Sequence, residues 1–354
     1  MKIQYLLLFT CFIPFYTMAQ DFSKIDEILK DYDGSKPGAA LAIIRDGKVI
    51  YSKGYGLSDL ESHQKVTDQS NFRLASVTKQ FTAAAILQLI ERGKLSLKTK
   101  LNDCFDALPS YATTINIRQM LNHTSGILDY DDFIDESEKT AQLADADVLK
   151  ACRSFSKTYF EPGTTYRYSN TAYVLLGLII EKYSGMPYSD YLAKHIFKPL
   201  KMKNTIAYVK GVNEISHRAY GYGTSQGKWI RKDQSSTSAT LGDGGIYSNL
   251  KDLTKWDAAL YLDKILPKKV WLSAFEQQSL KNGTKIAYGF GWHLKQSSSG
   301  QAIVYHTGST TSFRNVFYRI PEEKLSLILL TNRNTPEETE MTTLAEKILS
   351  KLIF

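Results

Sequence analysis

Segments dense in β-branched and aromatic residues fall at the two ends of this chain, while the long stretch between them carries helical periodicity. Near the N-terminus, GAALAIIRDGKVIYSKGYG reads as a hairpin: an apolar strand at 39–44, a turn at Asp46-Gly47 and a second strand at 49–55. Near the C-terminus, IAYGFGWHL, AIVYHTG, SFRNVFYRI and KLSLILLTN each read as a strand bounded by turn formers. One sheet built from both ends, with a helical region inserted between them, is the economical solution, and the fold class is α+β. The sheet part is expected at about 20–99 and 240–354, and the helical part at about 100–239. At 354 residues the chain can bury a substantial core, and 43% hydrophobic with 23% charged residues is ordinary globular composition.

The helices have identifiable ends. In RLASVTKQFTAAAILQLIERGK (73–94), Phe81, Ala84, Ala85, Leu87 and Leu89 recur at helical spacing and Gly93 follows as a stop. TINIRQMLNHTSGI and NTAYVLLGLIIEKYSG are the clearest middle helices, the second stopping at Gly185. Thr335 is expected to cap a last helix with Pro336 in its first position and Glu338 completing a capping box, running towards Ile353.

The first nineteen residues, MKIQYLLLFTCFIPFYTMA, pair an early lysine with an apolar run and a small residue before Gln20. This pattern is that of a secretory signal peptide cleaved after Ala19, leaving a mature chain 20–354 in a periplasmic or extracellular location. The run is short for a membrane span, which takes about 20 apolar residues, and no later segment is long enough. Of three cysteines, Cys104 and Cys152 remain after cleavage, free either to pair or to stay separate thiols. The net charge of +8 is spread along the chain without a recognisable nucleic-acid module, so no nucleic-acid partner is expected.

Three short stretches could carry chemistry. Ser76 and Lys79, at i and i+3, share one face of a helix with Cβ atoms roughly 5–6 Å apart. A serine needs a base within hydrogen-bond reach to become a nucleophile, and a lysine with an ordinary pKa of about 10.4 becomes one only when burial favours its neutral form. A cap serine with a solvated lysine is the bland alternative. In YRYSNTAY, Tyr168, Ser169 and Asn170 precede an apolar helix, where either Ser169 or Asn170 can serve as a cap. In YHTGST, His306-Thr307-Gly308 closes a strand, and Gly308 would let backbone come close to a ligand.

In this order, S-x-x-K, Y-x-N and H-T-G resemble the motifs of the serine β-lactamase and penicillin-binding protein family. The nearest branch is that of class C β-lactamases, D-alanyl-D-alanine carboxypeptidases and related esterases. INIRQMLNHTSGI, EPGTTYRYSN, YLAKHIFKPLKMKNT and LGDGGIYSNLKDLTKW are similar to that branch too, so the resemblance runs from about Gly38 to Asn332. It implies an antiparallel sheet flanked by helices, a mostly helical region, and a site between them. It implies Ser76 as acylated nucleophile, Lys79 and Tyr168 sharing the base work, and Asn170 binding a substrate amide or orienting Lys79. His306 would position a substrate carboxylate or polarise Tyr168, alongside Thr307, Gly308 and Ser309 in substrate binding. The oxyanion hole would come from the backbone N–H groups of Ser76 and Ser309. No cofactor or metal is implied. The expected partner is a small-molecule or peptide acyl substrate: a peptidoglycan stem peptide, an ester or a β-lactam.

His306 stands where lactamases usually carry lysine, which favours a D-alanyl-D-alanine carboxypeptidase-like peptidase or esterase over a β-lactamase; an inactive binding or sensor protein on the same fold is the alternative of another class. Lys201 stands where glycine is usual, and a local loop change is expected there. His123 and Ser125 of NHTSGI are read as packing and capping, the glycines of LGDGGIYSN as a turn near the site, and the acidic run 129–138 as a solvated loop.

Overall fold

The computed structural model describes residues 22–133 and 142–352. The signal-peptide expectation, the last part of the acidic run and the expected helix end at Ile353 lie outside them. Helix α1 (Ser23–Leu29) leads into β1 (Ala39–Arg45) and β2 (Lys48–Tyr55). Asp46 and Gly47 join the two strands with φ of 50° and 74°, the left-handed pair that a two-residue hairpin requires. Helix α2 (Lys79–Glu91) follows, and α3 (Asn170–Ser184) is the longest helix of the middle region. The chain then returns through β3 (His293–Gln296), β4 (Ala302–Thr310), β5 (Phe313–Ile320) and β6 (Leu325–Thr331) to the closing helix α4 (Glu338–Leu349).

These strands form one six-stranded antiparallel sheet in the order β3-β4-β5-β6-β1-β2. The chain ends meet at β1 and β6, where Ala39 faces Thr331 and Arg45 faces Leu325. Alternation along the strands feeds two separate cores. Ala39, Leu41 and Ile43 of β1 join Leu325, Leu327 and Leu329 of β6 against α1 and α4. Ala40, Ala42 and Ile44, with Ile328 and Leu330, face the other way, towards the core that contains Phe81 and Ala84 of α2. Helix α2 is buried along nearly its whole length, from Lys79 to Leu89. Among the described residues, no helix is long and apolar enough to cross a membrane.

Two expectations are corrected. IAYGFGWHL becomes a strand only at His293, because Gly291 (φ 80°) bends the preceding chain so closely under α2 that an added Cβ would lie 2.7 Å from the Lys79 carbonyl oxygen. The closing helix starts at Glu338, not Pro336. Its cap is Glu337, whose backbone N–H donates to Glu340 at 2.9 Å, because the Glu338 carboxylate is drawn across to the sheet. Of the two possibilities left open for Cys104 and Cys152, the structure has the second: they are separate buried thiols. Lys201 has a left-handed backbone (φ 57°), a conformation in which a glycine would be at ease and a lysine is strained.

Candidate active site

Ser76 lies in a 3-10 turn (Ala75–Thr78) that tightens the entry to α2. Several contacts hold this turn in place. The short strand Ile246–Ser248 pairs with Phe72 and Arg73, and the Leu74 N–H donates to the Ile246 carbonyl at 2.8 Å. From the other side, Asn315 of β5 donates its amide to the carbonyls of Arg73 (2.9 Å) and Leu74 (3.2 Å). Gly308, directly opposite Asn315 in the sheet, lets β4 lie against the same turn: an added Cβ would sit 2.2 Å from the Leu74 oxygen. Ala75, immediately before the serine, has φ of 49°, an unfavourable backbone for a side chain with a Cβ.

Lys79 begins α2 and is fully buried. Its Nζ donates to Ser76 Oγ (3.1 Å), Asn170 Oδ1 (2.7 Å) and the Asp243 carbonyl (2.9 Å). Burial pulls its pKa down to about 8, although the charges of Asp243, Asp129 and Asp131 pull the other way. Two of those three acceptors, Asn170 and Asp243, can only accept at the atoms involved. A neutral Lys79 would therefore spend both its hydrogens on them and aim its lone pair at Ser76.

Asn170 is free for this because Ser169 takes the cap: its Oγ accepts from the Ala172 N–H, and Gly185 ends the same helix in a left-handed conformation (φ 68°). Asn170 is itself braced by the acidic loop. Its Nδ2 donates to Asp131 (2.6 Å) and its backbone N–H to Asp129 (2.7 Å). Burial raises the pKa of both carboxyls, Asp131 to about 6. Asp129 is thus a buried, structural part of the site and not solvated loop, while Asp131 and Asp132 are exposed as expected, Asp131 still accepting from Asn170. The turn 242–245 does reach the site, as its glycines indicated, through the Asp243 carbonyl.

Tyr168 is half-buried, its hydroxyl buried without a hydrogen-bond partner among the described residues and its ring 4.9 Å from Lys79 Nζ. Burial drives its pKa well above the ordinary phenol value, opposed in part by the neighbouring Ser76 hydroxyl. His123 packs on the Tyr168 ring at 4.2 Å and accepts from the Ser169 N–H through Nδ1, so the packing role read for it is exercised at the site itself. Ser125 accepts from the Ile127 N–H at 3.4 Å within its own turn.

His306 is fully buried. Its Nδ1 lies 2.6 Å from the Thr307 carbonyl, an obligate acceptor, so the proton sits on Nδ1. Nε2 lies 2.9 Å from the Tyr288 hydroxyl, from which it accepts. Burial, with His293 and Lys79 nearby, drives its pKa well below the usual value. A neutral imidazole with both nitrogens engaged cannot supply the charge that a lysine would, so direct capture of a substrate carboxylate by His306 finds no support.

Ser76, Asn170 and Ser309 stand at the junction of two cavities. The first, about 380 Å³, is polar and lined by Asp131, Asp243, Arg73, Lys232 and Arg314 among others. The second, about 550 Å³, is lined by Tyr166, Tyr168, His293, Tyr305, Thr307 and Glu338 among others. Asp129, Asp131, Asp243, Asn315 and Glu338 were not singled out as site residues by motif. Only the glycines around Asp243 gave a signal.

The β-lactamase family model matches residues 22–350. Penicillin-binding protein 4* of Bacillus subtilis is 34% identical over 318 residues, 86% of this chain and 70% of that protein. The D-aminopeptidase of Brucella anthropi is 26% identical over 315 residues, 87% of this chain, which spans 58% of that longer protein. The solved D-amino acid amidase of Ochrobactrum anthropi, complexed with L-phenylalanine amide, superimposes with a TM-score of 0.77 at 25% identity, covering 94% of this chain and 98% of the amidase.

Proposed function

The chain belongs to the β-lactamase family of serine hydrolases, and we propose that it cleaves peptides, amides or esters through an acyl-enzyme on Ser76. The observation that carries this reading is the set of contacts around the Lys79 ammonium: buried, with a pKa near 8, and 3.1 Å from the serine hydroxyl. Neutral Lys79 takes the Ser76 proton as Oγ attacks the carbonyl carbon. Tyr168, whose burial disfavours the phenolate, relays that proton: it donates its own to the leaving group as the bond to the acyl carbon breaks and is reprotonated by the Lys79 ammonium, so both groups end neutral. The backbone N–H groups of Ser76 and Ser309 face the developing oxyanion. Water then attacks the acyl carbon and gives a proton to neutral Lys79, the ester bond to Oγ breaks, and Lys79 returns that proton to Ser76.

Penicillin-binding and D-amino-acid-directed relatives support a substrate with a D-configured acyl residue. The uncharged His306 supports a peptidase or esterase over an efficient β-lactamase. Export, and a division into a sheet part and an inserted helical part, belong to the same proposal; N-terminal sequencing of the secreted protein tests the first. The chemistry is tested by intact-protein mass spectrometry with a fluorophosphonate. One adduct is expected on the wild type and none on Ser76→Ala; no adduct on the wild type would sink the reading.

A further inference from the structure

We propose that Glu338 makes the aromatic cavity select leaving groups without a carboxylate, neutral or cationic ones being accepted. The inference rests on the acyl-enzyme reading above. Tyr168 lines this cavity and not the polar one, so a leaving group that takes its proton from Tyr168 departs on this side of Ser76.

His306 and Thr307, the strand residues best placed to meet a leaving-group anion, are already committed. His306 is neutral and bonded through both nitrogens. Thr307 donates its hydroxyl proton to Glu338 Oε1 at 2.7 Å, leaving the oxygen as an acceptor. Glu338 itself adds a negative charge, and among the described residues no lysine, arginine or histidine pairs with it within the 4.0 Å ion-pair limit. The described residues that line the cavity include no lysine or arginine. Lys295, over the Tyr305 ring, is held by Glu346, and Arg314, which feels the charges of Glu337 and Glu338 without pairing with either, lines the polar cavity and donates to the carbonyls of Thr310 and Phe313. The Glu338 charge also reaches Lys79 and Tyr168, so it acts within the site and not at its rim.

A carboxylate arriving here would meet a like charge in a partly desolvated cavity whose lining offers hydroxyls but no lysine or arginine to offset it. A neutral amide or alcohol avoids that cost, and an organic cation gains Glu338 and the neighbouring Tyr166 ring. The inference narrows the reading: release of a terminal amino acid with a free carboxylate is disfavoured, and release of an amine, ammonia or an alcohol is favoured.

The test uses three N-acetyl-D-alanyl esters with one acyl group and different leaving alcohols: D-lactate, D-lactamide and choline. Wild-type kcat/KM is expected to favour the lactamide and choline esters over the lactate ester by at least about tenfold. Glu338→Gln keeps an oxygen for Thr307 and removes only the charge, so the preference should shrink to about threefold or less, and Glu338→Lys should reverse it. An unchanged lactamide-to-lactate ratio in Glu338→Gln, with Ser76 still labelled by fluorophosphonate, overturns the inference alone. Absence of label on wild-type Ser76 overturns the acyl-enzyme reading and this inference with it.

Discussion

Asn170 holds Lys79 more closely than Ser76 does: Oδ1 accepts from Nζ at 2.7 Å, against 3.1 Å to the serine oxygen. The amide is fixed at its other end by Asp131, so it cannot turn away. On the proposed mechanism this pins the lysine lone pair on Ser76. Asn170→Ala should lower kcat by about a hundredfold, while fluorophosphonate labelling of Ser76 is slowed but not abolished. Equal kcat in variant and wild type would remove Asn170 from the mechanism.

The pH profile follows from the Lys79 pKa of about 8. The neutral base form grows as pH rises, so kcat/KM should climb through about pH 8 and level above it. At pH 7, about a tenth of the lysine is neutral. Asp243 is the largest charge opposing the depression. Its removal in Asp243→Asn should move the rising limb to lower pH. A shift to higher pH in steady-state assays would reverse the sign of the argument.

Gly308 has no room for a side chain, since an added Cβ would lie 2.2 Å from the Leu74 oxygen in the turn that carries Ser76. Gly308→Ala should cost about 1–3 kcal/mol in denaturant unfolding and displace the turn enough to reduce acylation sharply. Full activity at full stability would show that the sheet and the turn are not rigidly joined.

Lys201 is exposed and left-handed. Lys201→Gly should remove about 1–2 kcal/mol of strain, offset in part by the greater chain entropy a glycine loses on folding, and so stabilise the fold by about 0.5–1 kcal/mol with kcat unchanged. Thermal unfolding checks it; a lower midpoint would mean that the lysine side chain does more than occupy the turn.

The two-ended sheet was legible because strand composition and turn signals depend on neighbours in sequence. Ser76, Lys79, Tyr168 and Asn170 were legible as short patterns, and the structure brings them together around one buried amine. What sequence did not reveal is the support for those patterns. Asp129 and Asp131 read as part of a solvated acidic run, because only the tertiary approach of α3 converts them into acceptors for Asn170. The Asp243 contact uses a backbone carbonyl, which leaves no trace in residue type. Glu338 read as a helix cap, and its contact with Thr307 spans 31 residues of chain.

Two cavities that meet at one serine give the reaction separate doors. On the proposed mechanism, the first product leaves through the aromatic door while the acyl group stays lodged behind the polar one. The vacated space is then the entrance for the second reactant. Water enters there, and so can an alcohol or amine of similar shape, which would end the cycle as a new ester or amide. The partition between hydrolysis and acyl transfer would be set by who occupies that doorway, and Glu338 stands beside it.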